Sequence, residues 1–365
     1  MSSPLTHDVI ILGAGGAGLM CAAEAGKRGR RVLVLDHGDI VGRKILISGG
    51  GRCNFTNVGA RAACYLSGNP HFCKSALAGY TPNDFVALVQ KHGIAYHEKK
   101  LGQLFCDDSA QQIVDMLMGE CAAVGAKVQM QTEIESVAQN DDHYTVRTNK
   151  GTYTCESLVV ATGGLSIPQI GATPFGYKVA EQFGLPIIPP RAALVPFTYT
   201  EKDLALYGAL AGMSFEAILS CNKASFREQV LITHRGFSGP AILQISSYWK
   251  PGDVVQMQIE PEINWQELLK AARKASPKQA LKTILGEHLP KRFAVCLAEN
   301  GLVPEKDMGN LSDKEIQAVH QLLTQFPLKP NGTEGYRKAE VTAGGVDTNA
   351  LHASTLECRN VKGLF

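Results

Sequence analysis

Apolar positions along this chain follow two periods. Val9–Leu12 and Val32–Leu35 are continuous, β-branched runs, the pattern of strands buried on both faces, and Leu19–Gly26 between them reads as a helix. Helical periodicity returns over 82–92 and 109–124. Strand-like stretches follow at 125–130, 134–137, 144–148 and 152–155, with Asn140–His143 and Asn149–Gly151 as tight turns of a meander. Ser157–Val160 is a further buried strand running into Ala161-Thr162-Gly163-Gly164. Beyond Gly184, Pro186, Pro189, Pro190 and Pro196 exclude helix, and short alternating runs predict an inserted β-rich domain. From Trp265 to His320 the pattern is helical again, with Ser276-Pro277 as a start signal.

At 365 residues, 45% hydrophobic and 19% charged, the chain describes a folded protein of two or three domains. Its 36 Lys and Arg against 34 Asp and Glu leave a formal charge of +2, so the balance predicts neither nucleic-acid nor membrane affinity for the whole molecule. The N-terminus lacks a leader pattern and no apolar run is long enough to span a bilayer, which together read as a cytoplasmic protein. Ten scattered cysteines contain no Cys-x-x-Cys and no metal spacing, so reduced thiols and no metal site are expected. Lys270, Arg273, Lys274, Lys278, Lys282, Lys291 and Arg292 make the helical segment locally basic, either a solvated face or an anion-facing one.

The first run leads directly into Gly13-Ala14-Gly15-Gly16-Ala17-Gly18. Glycines at 13, 15 and 18 match the dinucleotide fingerprint: one for a tight turn, one for close approach of a pyrophosphate, one for helix packing. Asp36 ends the second run, where a carboxylate can accept ribose hydroxyls and would repel a 2′-phosphate, favouring FAD or NAD over NADP. The Ala161-Thr162-Gly163 backbone reaches the same sheet edge. A second glycine cluster, Ser48-Gly49-Gly50-Gly51, is unexplained by the fingerprint, and its place thirty residues on predicts a backbone floor for the isoalloxazine ring. Arg43 and Lys44 could meet phosphate or the flavin carbonyl edge, and Arg52 and Asn54 could pin the loop. Cys53 has no second cysteine within a few residues, which argues against a redox-active thiol.

Asp8–Gly18, Gly42–Asn57, Ser157–Gly171, Thr233–Pro240 and Val341–Val346 together resemble the BaiN/RdsA family of FAD-dependent oxidoreductases, nearly along the whole chain. Ile-Ser-Gly-Gly-Gly-Arg-Cys-Asn-Phe-Thr-Asn is the most specific element. The resemblance implies an α/β fold: a Rossmann-like FAD-binding domain interrupted by an inserted β-barrel-like domain and a small helical domain. The expected boundaries are 1–188, 189–262, 263–330 and a return to the FAD domain over 331–365. It further implies Gly13, Ala14, Gly15, Ala17 and Gly18 at the pyrophosphate, Asp36 at the ribose, Ile134 at the adenine and Ala161, Thr162 and Gly163 at the second dinucleotide contact. The expected cofactor set continues through Arg43, Lys44, Ser48, Gly49, Gly51, Arg52, Cys53, Asn54, Thr342, Gly344 and Gly345. Measured against the family pattern, the sequence stops at Phe365 before a strand and a helix that would cover the flavin, which predicts an incomplete site and weak flavination.

His234, in Thr233-His234-Arg235-Gly236-Phe237-Ser238-Gly239-Pro240, is the candidate catalytic residue. It is either a proton donor matching hydride delivery, or part of a cap and turn with Ser238 as N-cap. The leading expectation is an FAD-dependent reductase that passes a hydride between flavin and a small organic substrate, with NAD(P)H as a transient donor and neither nucleic acid nor membrane as partner. An FAD-dependent oxidase, and a flavin-bearing RNA-binding protein using the basic helical insert, are the competing readings. The sequence leaves substrate and oligomeric state open.

Overall fold

The computed structural model describes residues 6–365. It divides into two compact units, one reaching to Pro190 and resuming at Gly344–Phe365, the other spanning Arg191–Ala343.

The first unit is built on β1 (His7–Leu12), α1 (Gly16–Lys27) and β2 (Val32–Leu35). Its six-stranded sheet runs Lys127–Gln129, β2, β1, Gly151–Val160, His143–Thr148, Ile134–Asn140. β1 pairs in parallel with β2, Val9 opposite Val32 and Leu12 opposite Leu35. Alternate residues serve two cores. Ile10, Leu12, Leu33 and Leu35 pack on one face with Val146, Leu158 and Val179, whereas Ile11, Val32 and Val34 pack on the other with α1 and the helix Gln111–Ala123. Burial on both faces is why these runs lack polar alternation. The expected strands at 152–155 and 157–160 are one continuous strand, Gly151–Val160. It changes partners along its length, antiparallel to His143–Thr148 through Cys155 and parallel to β1 from Cys155 to Val160. A small three-stranded sheet, ordered Asn54–Asn57, Gln103–Cys106, Tyr96–Glu98, stands apart from this one.

The second unit carries a seven-stranded sheet ordered Phe326–Leu328, Val255–Ile259, Ser214–Cys221, Ala224–Ile232, Gly236–Ser238, Phe197–Thr198, Gly332–Thr333. Its helices Trp265–Ala275, Leu281–His288, Lys291–Glu299 and Asp313–Thr324 share one core with that sheet. Phe215 of the sheet stacks on Phe293 of a helix at 5.4 Å, and Phe293 meets Phe326 at 6.3 Å. The two inserted domains expected at 189–262 and 263–330 are therefore a single unit. The return expected at 331 falls at 344, because Phe326–Leu328 and Gly332–Thr333 hydrogen-bond to the insert's own sheet.

Candidate functional site: a nucleotide cleft at the carboxyl ends of β1 and β2

The turn after β1 is fixed by close backbone approach. Gly13 has φ +112°, its N–H donates to the Leu35 carbonyl at 2.8 Å, and a Cβ there would lie 2.5 Å from the Ala161 carbonyl oxygen. A Cβ on Gly18 would lie 1.9 Å from the Gly13 carbonyl oxygen, so α1 can start this close to β1 only with glycine there. Gly15 differs: a Cβ would meet nothing within 4 Å, because the position faces the cleft. Gly15 caps α1 without a side-chain hydrogen bond, and no acidic residue stands in the first turn. The first N–H groups and the positive end of the helix are thus directed at an anion.

Asp36, at the end of β2, accepts from the backbone N–H groups of Ala14 and Gly38, both at 2.7 Å. One oxygen is used for each, which leaves a further lone pair on each for a ribose hydroxyl. The cleft, of about 260 Å³, is lined by Gly13–Ala17, Asp36, Arg43, Lys44, Ala161–Gly164 and Ser166. A neighbouring cavity of about 310 Å³ shares Gly13, Asp36 and Thr162 and adds Thr132, Glu133, Ile134 and Phe175. A third, of about 390 Å³, shares Ala17 and Ala161–Gly163 and is mostly apolar, with Val160, Tyr177, Leu185, Val346 and Leu351 in its wall. Gly13, Ala14, Gly15, Ala17, Asp36, Arg43, Lys44, Ile134, Ala161, Thr162 and Gly163 are accordingly brought together. Gly18 lies just behind them, under the turn. Arg43 pairs with Asp39, and the Lys44 ammonium donates to Ser166 Oγ.

The second glycine cluster has a different placement. Gly49, Gly50 and Gly51 are a left-handed run with φ of +59°, +69° and +87°. A Cβ on Gly49 would stand 2.7 Å from the Phe105 ring and 2.8 Å from Asn54 N, so this glycine is required by packing against the small sheet. The carbonyls of Gly51 and Arg52 accept from Ala110 and Cys106, at 2.8 and 2.9 Å, and the Ser48 hydroxyl donates to the Ile45 carbonyl at 2.7 Å. Cys53 is only 5% exposed and belongs to the core beneath α1, where burial raises its thiol pKa. Its side chain packs in that core and lines none of the three cavities. Ser48, Gly49, Gly51, Arg52, Cys53 and Asn54 do not line the three cavities; Arg52 and Asn54 are exposed.

Gly344 has φ +85°, and a Cβ would lie 2.6 Å from the Pro189 carbonyl oxygen, which makes it a strand-approach glycine instead of a cavity wall. Gly345, φ +122°, faces Tyr177, and the following Val346 lines the apolar cavity. Thr342 and His234 belong to the second unit. His234 sits in the bend between Ala224–Ile232 and Gly236–Ser238, where the Thr233 hydroxyl accepts from Arg235 and Gly236 N–H at 3.3 and 3.1 Å. Its side chain has no hydrogen-bond partner among the described residues, and neighbouring Arg235 reaches Glu334 at 3.7 Å. The N-cap of Pro240–Ser246 is Gly239, φ +91°, in place of Ser238, because a Cβ at 239 would strike the Gln229 carbonyl oxygen at 2.7 Å.

Sequence reasoning missed three contributors. Gly42, φ +66°, donates to the Ala14 carbonyl at 3.0 Å and leaves no room for a Cβ, which would lie 2.8 Å from Val114. Gly176 would drive a Cβ to 2.3 Å from Thr162 Oγ1, so it sets the position of that threonine. Ser166, 2% exposed, is the Lys44 partner. Gly42 heads a glycine-bearing motif and was findable; Ser166 carries no local signal.

The residues fit FAD. The helix N-terminus and the absent side chain at Gly15 suit a pyrophosphate, Asp36 and the Ile134 cavity suit adenosine, and the apolar cavity continues from the same Ala161–Gly163 backbone. Among the described residues no helix is long and apolar enough to cross a membrane.

The family model described as the HI0933-like protein Rossmann domain matches residues 7–365. A ribosomal RNA dihydrouridine synthase of Escherichia coli (strain K12) is 54% identical over 98% of this chain and 90% of its own length. A protein of the same name from Haemophilus influenzae is 51% identical over 98% and 90%. A 3-dehydro-bile acid delta(4,6)-reductase of Clostridium scindens is 24% identical over 97% and 90%. With its fingerprint, its cleft and a family match over residues 7–365, this chain belongs to the HI0933-like family of FAD-binding Rossmann proteins and is an FAD-dependent oxidoreductase.

Proposed function

We propose that this protein reduces uridine to dihydrouridine in ribosomal RNA. The observation that carries this reading is 54% identity across 98% of the chain to a ribosomal RNA dihydrouridine synthase. The more distant delta(4,6)-reductase fits the same chemistry, since both names describe saturation of a carbon–carbon double bond conjugated to a carbonyl. In uracil that bond is C5–C6, activated by the C4 carbonyl. When bound, FAD would supply the hydride for C6 of such an alkene, and C5 would then require a proton.

The chain's own residues do the holding. The α1 N-terminus and the Gly13–Ala17 backbone hold the pyrophosphate, and Asp36 both orders that loop and receives the ribose. Ala161–Gly163 would meet the cofactor where the cleft and the apolar cavity share a wall, and Lys44, set by Ser166, contributes positive charge to the cleft. His234 is the candidate proton donor to C5. A nicotinamide donor would bind only transiently, because only one dinucleotide fingerprint is present in the sequence.

The test is direct. The FAD-loaded protein is incubated with NAD(P)H and ribosomal RNA from cells lacking this activity, and nucleosides are read by mass spectrometry. A gain of two hydrogens on uridine is expected; unaltered uridine under conditions where the flavin is reduced would refute the reading.

A further inference from the structure

No aspartate or glutamate occurs between Asp39 and Asp84. At the chain's density of 34 acids in 365 residues, about four would fall in a stretch of that length. Five cations do occur there: Arg43, Lys44, Arg52, Arg61 and Lys74. Arg43 and Lys44 line the nucleotide cleft. The side chains of Arg52, Arg61 and Lys74 are exposed and have neither an ion pair nor a hydrogen bond among the described residues.

The part of this stretch from Val58 to Tyr80 also has no buried residue, although it contains Tyr65, Leu66, Phe72, Leu77 and Tyr80. Tyr65 is 49% exposed, Leu66 53% and Tyr80 39%. Its regular structure amounts to Ala62–Cys64 and Lys74–Gly79, and it is tied to the same unit by Val58 N–H to the Gly102 carbonyl at 2.9 Å and by Asn69 to Asn349 at 3.2 Å. A segment that leaves aromatic rings and unpaired cations in solvent, with no carboxylate among them, suits a partner that offers flat rings and negative charge together. Single-stranded RNA does so: phosphates take the cations, and unstacked bases take the aromatic faces.

We infer that residues 58–80, continuous in sequence with the cleft, form the surface that holds the single-stranded RNA around the target uridine. Arg61 and Lys74 meet phosphates and Tyr65 stacks on a base. This deepens the RNA-substrate reading above and rests on it.

The test uses the full chain loaded with FAD and a fluorescein-labelled oligouridylate of about a dozen nucleotides, followed by anisotropy over a salt series. Replacing Arg61→Glu together with Lys74→Glu weakens binding at least tenfold. It also flattens the slope of log K against log salt by about 1.4, or about 0.7 for each lost phosphate contact. Tyr65→Ala weakens binding about tenfold and leaves the slope unchanged, as expected for lost stacking. Because none of the three is buried, flavin content and the rate of flavin reduction by NAD(P)H stay at wild-type values. Variants that bind oligouridylate like the wild type overturn the assignment. So does poly-glutamate competing as strongly as RNA, which would make the surface one for an acidic protein. If the variants lose oligouridylate but wild-type protein leaves ribosomal uridine unreduced, the surface stands and the proposed activity falls.

Discussion

Gly15 and Gly18 stand three residues apart in one fingerprint, yet the structure gives alanine at the two positions opposite consequences. At Gly18 the added Cβ would lie 1.9 Å from the Gly13 carbonyl oxygen and 3.1 Å from its carbon. Contacts of this kind do not fall below 3.0 Å, so the gap must open by about 1 Å, and both sides are backbone. Helix α1 also holds Leu19, Ala22 and Ala23 in the core, which resists the shift. Overpacking of this sort costs about 1–3 kcal/mol, and Gly18→Ala should lower the apoprotein melting temperature by several degrees. At Gly15 the Cβ meets no protein atom within 4 Å, so Gly15→Ala leaves the apoprotein as stable as the parent. That Cβ occupies the space where the pyrophosphate approaches, and FAD affinity should fall at least tenfold, equivalent to about 1.4 kcal/mol. The assay pairs thermal denaturation of the apoprotein with FAD titration followed by flavin fluorescence quenching. A Gly15→Ala protein that binds FAD like the parent, or a Gly18→Ala apoprotein with unchanged melting temperature, would refute this account of the turn.

Three further predictions follow from individual side chains. Asp36→Ala removes the acceptor for both Ala14 and Gly38 N–H, so FAD binding should weaken more than tenfold, and added NADP should not restore it; isothermal titration reads both. Glu120, 6% exposed, is held by Lys91 and His92 at 2.8 Å and by Lys27 at 3.0 Å, and these hydrogen bonds lower its pKa from 4.5 to about 2. A folded-state pKa below the unfolded one gives stability that is complete above the unfolded value and lost as pH falls toward the folded one. Stability should therefore decline from about pH 5 toward pH 2, and Glu120→Gln should flatten that limb in urea denaturation. His234→Ala should retain flavin content and NAD(P)H-dependent flavin reduction while substrate turnover drops by about a hundredfold; stopped-flow absorbance separates the two half-reactions.

The nucleotide cleft was legible because its signals are local. Gly13, Gly15, Gly18, Asp36 and Ala161–Gly163 each follow a buried strand directly, and strand ends at one sheet edge converge whatever the rest of the chain does. The packing role of the Ser48–Asn54 loop was not legible because its composition suits two demands. Left-handed glycines serve a ligand approach and an aromatic contact equally, and only the pairing of Asn54–Asn57 with Gln103–Cys106 puts Phe105 against Gly49. The return boundary was displaced because Phe326–Leu328 and Gly332–Thr333 are too short to announce a strand, and their partners lie roughly seventy to 135 residues earlier. Glu120 reads as a surface acid within a helix; its burial depends on cations from two other helices.

The placement of residues 191–343 within the chain has a bearing on how the nucleotide-binding unit folds. Leu158 and Val160 N–H donate to the carbonyls of Gly363 and Phe365, at 2.8 and 2.9 Å, so this unit includes chain synthesised after the insert. Closing 153 unstructured residues into a loop costs about 4.5 kcal/mol in chain entropy, from (3/2)RT ln n, before any constant term. An insert that folds first brings its own ends into a fixed span and removes most of that cost. Substitutions buried at Phe215, Phe293 or Trp265, far along the chain from any nucleotide contact, should then slow acquisition of FAD during refolding even where the final affinity is unchanged.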